Sequence, residues 1–173
     1  MAFSLYDATI PTYRQILGAV SGLLGKAVAH CAAHNIPEAE LIAARLHTDM
    51  LPFSYQVKST VAHSVGAIEG VRAGVFSPDL TPPPESFAAL KHTIGAALGA
   101  LETFKPAEIN GFEGRDMRFT FKDYKLDFTA EGFLMSFSLP NFYFHAATAY
   151  DILRHKGVAL GKRDFMGRMQ IKG

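Results

Sequence analysis

The stretch SLYDATIPTYRQILGAVSGLLGKAVAHCAAH, running from Ser4 to His34, decides the fold class. Ile10, Tyr13, Leu17, Val20, Leu24 and Val28 recur along it at steps of three and four, which sets them on one face of a helix. Ser4 is a good capping residue, and Asp7 places an acid in the first turn, where the positive end of the helix dipole favours it. Pro11 lies inside the pattern and suits a first helical turn, so regular helix is expected from there.

Working outward, Asn35-Ile36-Pro37 breaks the chain, and Pro37-Glu38 opens a second helix that runs to Val71. Pro52 in its middle is expected to kink or split it, because proline lacks an amide proton and clashes with the preceding turn. Gly74 to Pro84 is a proline-rich connection. Phe87, Leu90, Ile94, Leu98 and Leu101 mark a third helix entered at Glu85-Ser86. Met117, Phe119 and Phe121 then alternate with Arg118 and Thr120, and Leu126 and Phe128 flank Asp127, which predicts a β-hairpin turning around Lys122 to Lys125. Thr129 caps the last helical region, Pro140 is expected to break or bend it, and Gly157 ends it. The pattern is mainly all-α, with residues 1–173 forming one domain.

Composition narrows the classes of function. Hydrophobic residues make up 49% and charged residues 19%, richer in apolar groups than an average soluble domain. That surplus implies a large core or a second subunit, and a homodimer is expected. The net charge is +1 and no basic run is dense enough to displace phosphate counterions, so nucleic acid is not an expected partner. No signal peptide opens the chain and no apolar run reaches the roughly 20 residues that span a bilayer, so a cytoplasmic protein without a membrane partner is expected. Cys31 stands alone, which excludes a disulfide framework and a thiolate cluster.

No phosphate loop, nucleophile elbow or His-Glu-x-x-His motif occurs, and histidine is what remains for chemistry. His30 and His34 are four apart and share a helix face, which suits a divalent ion or simply the exposed negative end of the helix. His63 and His145 each sit among apolar neighbours in mid-helix, so each needs a hydrogen-bond partner or a metal. Cys31, beside His30, reads as a helix-buried spectator thiol.

The run Leu139-Pro140-Asn141-Phe142-Tyr143-Phe144-His145-Ala146-Ala147-Thr148-Ala149-Tyr150, followed by Gly161-Lys162-Arg163-Asp164-Phe165, resembles a bacterial and fungal domain-of-unknown-function family, number nineteen-ninety-three. That family is related to the DinB/YfiT-like four-helix bundles. Leu5-Tyr6-Asp7, Asp49-Met50-Leu51-Pro52 and Gln56-Val57 extend the resemblance over nearly the whole chain. It implies an up-down-down-up four-helix bundle, with the small hairpin inserted before the last helix. It also implies one divalent metal (nickel, zinc, manganese or iron) held by three histidines, one on the second helix and two on the last. Carried over by position, His63 and His145 would be metal ligands, but the expected third ligand is replaced by Ala149. Asn141 is a poor substitute, and His155, ten residues on, lies about 80° off the face of His145.

Two functions follow from the resemblance. One is a divalent-metal-dependent enzyme of hydrolase or thiol-transferase type, with its site between the second and last helices and a pocket near Asn141, Tyr143 and Tyr150. The other is a non-catalytic bundle that has lost the metal and binds a small ligand or dimerises, with His63 and His145 bonded to neighbours such as Tyr143, Tyr150 or Ser64. The tail is expected to close one end of the bundle through Phe165, with Lys162 or Arg163 pairing an acid.

Overall fold

A computed structural model describes residues 3–172. Helix α1 (Leu5–His34) starts at a reciprocal cap: the Asp7 amide donates to Ser4 Oγ, and the Ser4 amide donates to the Asp7 carboxylate, each at 3.2 Å. The helix therefore begins ahead of Pro11 and not at it. The cap and the burial of Leu5 and Ile10 hold the first turns, so the backbone bond that Pro11 removes is tolerated. At 30 residues α1 is long and apolar enough to cross a membrane by length and composition, although Arg14 and Lys26 interrupt it and no uncharged run within it reaches the roughly 20 residues of a span. Its stripe from Ile10 through Tyr13, Leu17, Val20 and Leu24 is wholly buried in the core, and it packs chiefly on the later helices Phe87–Thr103, Leu139–His155 and Lys162–Met166.

Pro52 splits the second segment. The short helix α2 (Glu38–Ile42) precedes an irregular stretch, and α3 (Phe53–Val61) begins directly after Pro52, where a missing amide proton costs nothing. A π-helical turn (Ala62–Gly66) carries α3 into α4 (Ala67–Ala73), which stops at Gly74 in the left-handed conformation, φ 76°.

The expected hairpin forms, and a third strand joins it. Strand β1 (Val75–Phe76), read from sequence as part of the proline-rich connection, pairs in parallel with β2 (Asp116–Phe121), which pairs antiparallel with β3 (Tyr124–Thr129). Phe76 draws β1 in. A Cβ added at Gly70 would lie 3.0 Å from the Phe76 Cβ, so the bare backbone there lets strand and helix meet. Between β1 and β2 come α5 (Phe87–Thr103), capped by Ser86, and α6 (Pro106–Asn110).

The last helical stretch begins where Thr129 Oγ1 accepts the Gly132 amide. Helix α7 (Ala130–Gly132) passes through a second π-helical segment (Phe133–Ser138) into α8 (Leu139–His155). Pro140 does not break the run. It sits in the first turn of α8, directly after the wide π segment has already shifted the backbone register. Gly157, at φ 90°, closes α8: the Val158 amide reaches the Leu153 carbonyl and the Gly157 amide that of Arg154.

The tail forms α9 (Lys162–Met166) against α1. Phe165 lies 5.9 Å from the Tyr150 ring, as an anchor would. The ion pair is reversed from expectation: Asp164 takes Lys26 of α1 at 2.7 Å, because the acid and not Lys162 or Arg163 points back at the bundle.

Candidate functional site

Two helices bring His63 and His145 together. His63 rides on the π-helical turn after α3, where the widened backbone re-aims side chains, and His145 is in mid-α8. Their rings lie 5.8 Å apart and 14° from parallel, and both are half-buried. Phe76 at 5.5 Å and Phe137 at 5.9 Å flank His63, while Phe144 at 5.4 Å and Tyr55 at 6.1 Å flank His145.

Hydrogen bonding assigns the protons on these rings. Gln56, 2% exposed, donates its amide nitrogen to the Leu51 carbonyl at 2.8 Å. That orientation turns Oε1 toward His145 Nδ1, 2.7 Å away. An amide oxygen only accepts, so His145 carries its proton on Nδ1 and leaves a lone pair on Nε2. On the other ring, Ser138 donates its hydroxyl proton to the His63 carbonyl at 3.0 Å. Its oxygen is then an acceptor for His63 Nδ1, at a longer 3.4 Å. Both imidazoles thus hold a proton outward and an Nε2 lone pair free.

Burial also keeps the rings neutral. Desolvation lowers His145 from its ordinary value to about 4. The same burial, together with the neighbouring His145, lowers His63 to about 4. At neutral pH both rings are bases available to an electrophile.

The remaining candidates lie apart. Ala149 is fully buried on α8, and His155 is exposed at the helix end. Among the described residues, no three or more His, Cys, Asp or Glu side chains gather so as to hold a metal ion. Asn141 donates to the Phe137 carbonyl, Tyr143 shares a hydrogen bond with Thr12, and Tyr150 faces Phe165. None of these polar contacts reaches the imidazoles, whose partners are Gln56 and Ser138 and not Tyr143, Tyr150 or Ser64. The His30 and His34 rings lie 4.2 Å apart on the last turn of α1, tilted by 33°, with His34 Nδ1 on the His30 carbonyl. Cys31 is buried, and burial first, then Glu38 and Glu40, push its thiol up from its ordinary value, which suits a spectator.

Sequence alone does not assign Gln56 and Ser138 to the pair. Gln56 gives one signal, a polar residue at a core-facing step between Phe53 and Thr60. Ser138 gives none that is local, since its partner is 75 positions away.

Comparison with known proteins fits this architecture. The crystal structure of a DinB family member protein from Shewanella denitrificans superposes with a TM-score of 0.81 at 26% identity, over 98% of this chain and 95% of that one. No curated protein matches the sequence. The model of a family described as Domain of unknown function (DUF1993) matches residues 5–166, and the chain belongs to that family.

Proposed function

We propose that His63 and His145 form the working site of this protein, an open seat for one divalent ion between the second and last long helical stretches. The supporting observation is the hydrogen bonding behind the rings: Gln56 Oε1 and Ser138 Oγ each accept from a ring Nδ1–H, which leaves both Nε2 lone pairs free. Metal-binding histidines are ordinarily held this way by an acceptor behind the ring. The donor set fits an ion with two protein ligands and open positions; it does not fit a three-histidine centre, because Ala149 offers no donor. A nickel, zinc, manganese or iron ion bound there would supply Lewis acidity for hydrolytic or thiol-transfer chemistry. The chain's own part is to fix both rings, hold them neutral, and limit water through the aromatic side chains around them.

The second reading is a bundle without metal that binds a small ligand or dimerises. A hollow of about 570 Å³ favours it, lined by Val61, Val65, Phe76 and Pro82. Phe76, in its wall, also touches His63.

The same proposal takes the chain as a single cytoplasmic domain whose four long helical stretches run up-down-down-up, and as a homodimer without nucleic-acid or membrane partners. Exposed Tyr143 and Phe144 on α8 support a subunit contact. Light scattering at micromolar concentration should give twice the chain mass.

Elemental analysis of untagged protein tests the metal. One equivalent of ion, lost in His63→Ala and His145→Ala variants that keep their helical circular dichroism, supports the site. Protein that takes up no added zinc or nickel leaves the second reading.

A further inference from the structure

We infer that the open edge of β3 is a twofold contact for a second copy of this chain, an inference that rests on the homodimer reading and gives its contact a place and a register. Strand β3 pairs with β2 on one side, and among the described residues no strand covers the other. Such an edge presents unpaired amides and carbonyls to any strand that fits it. The apolar face of the hairpin also runs past the core here. Met117 and Phe119 are buried, but Phe121, Tyr124 and Leu126 are exposed.

Hydrogen bonding fixes which residues offer those backbone groups. The Arg118 amide donates to the Gly74 carbonyl, so it points to β1 and away from β3. The Ala130 amide donates to the Arg115 carbonyl at the other end of the ladder. In an antiparallel pair, bonded and unbonded positions alternate. Leu126 and Phe128 therefore turn their backbone groups toward β2, opposite Phe119 and Met117. Lys125 and Asp127, opposite Thr120 and Arg118, turn theirs to the open edge.

Charge then selects the register of a second β3 laid antiparallel on the first. Centring the twofold on Lys125 sets two ammonium groups face to face, and centring it on Asp127 sets two carboxylates so; like charges directly opposite are destabilising. Centring it on Phe128 leaves Lys125 beyond the end of the partner strand, which stops at Thr129. Centring it on Leu126 sets Lys125 opposite the partner's Asp127, and Asp127 opposite the partner's Lys125. Those are the residues whose backbone groups face outward. On the other face, Tyr124 meets the partner's Phe128 and Leu126 meets the partner's Leu126. Arg118 already holds Asp127 at 2.6 Å, so the carboxylate would lie between two cations. Charges that ward off an arbitrary strand are thus matched by this one, as a self-complementary twofold surface requires.

Cysteine cross-linking tests the register, beside sedimentation of the full chain. Leu126 would lie on the twofold in a pair that exchanges no hydrogen bonds, where Cα atoms come to about 4.5 Å, within disulfide reach. Leu126→Cys should therefore link to itself under mild oxidation, while wild type, whose Cys31 is buried, should not link. Tyr124→Cys should stay unlinked, because its two copies would fall about 14 Å apart along the strands. Lys125→Asp, at an exposed position, places a carboxylate opposite the partner's Asp127 twice over and should weaken the dimer about tenfold. A dimer that Leu126→Cys does not link, that Tyr124→Cys links equally, or that Lys125→Asp leaves intact overturns the inference. The homodimer reading would then stand, with its contact elsewhere, as at Tyr143 and Phe144. A monomer in wild type overturns both.

Discussion

His30 and His34 lie four residues apart with their rings 4.2 Å from each other, whereas His63 and His145 come from distant helices and meet at 5.8 Å. By spacing alone the first pair looks the better chelate. Yet it sits on the last turn of α1, with His34 exposed and its Nδ1 turned back to its own helix. The second pair is half-buried, walled by aromatic rings and backed by Gln56 and Ser138. What distinguishes the proposed site from the exposed pair is the support behind the rings, which sets their protons and limits water around them.

Removing that support should have the largest effect. Gln56→Leu takes the acceptor from His145 Nδ1 and the donor from the Leu51 carbonyl. We expect a loss of about 2–3 kcal/mol in urea unfolding, with zinc binding weakened at least tenfold. A variant with wild-type zinc affinity would dismiss the support argument.

Acid should act next. Both rings are lowered to about 4 in the folded protein, while an unfolded histidine titrates near 6.5. As pH falls, the unfolded chain takes up protons first, so stability present above about pH 6.5 is lost progressively down to about pH 4. The loss should be on the order of 2 kcal/mol per ring, less than the full shift gives, since both rings keep some water contact. Thermal melts of metal-free wild type and His145→Ala across that range would show it, with a flatter profile for the variant.

Ala149→His offers a way to sharpen the comparison by placing an imidazole where the family resemblance expects a third ligand. The residue is fully buried, so crowding should cost about 1–3 kcal/mol. Zinc affinity should nevertheless rise about tenfold if the third position points at the pair. Isothermal titration reads the affinity directly, and a fall would mean that Ala149 faces only the core.

The smallest effect belongs to the exposed pair. His30→Ala with His34→Ala should move stability by less than about 0.5 kcal/mol and leave metal stoichiometry unchanged. A lost equivalent of metal would reverse the ranking of the two pairs.

Much of the frame is legible because its causes are local. Ser4, Ser86, Thr129 and Gly157 act within a few residues of themselves, and all four cap as their residue types require. The hairpin follows from alternation around Lys122, which takes a left-handed φ of 53° in a two-residue turn. β1 escaped notice because two residues carry no periodicity and their partners, Arg118 and Phe119, are far along the chain. The π segments also lack a local signature. At the site, His63 and His145 stand out as polar residues in apolar helices, but Gln56 becomes visible as a partner only when α3 packs on α8.

The turn at Ala62–Gly66 also bears on how such a protein changes over generations. A π turn holds one more residue than the α-helical turn it replaces. Deleting a single codon within it would leave Phe53 and Val57 on one side, and Ile68 and Val71 on the other, facing the same core. The residues of the turn itself, His63 among them, would be re-aimed. The aim of His63, on which the proposed site depends, is therefore set by a removable residue, and a lineage can drop or regain that aim in one step.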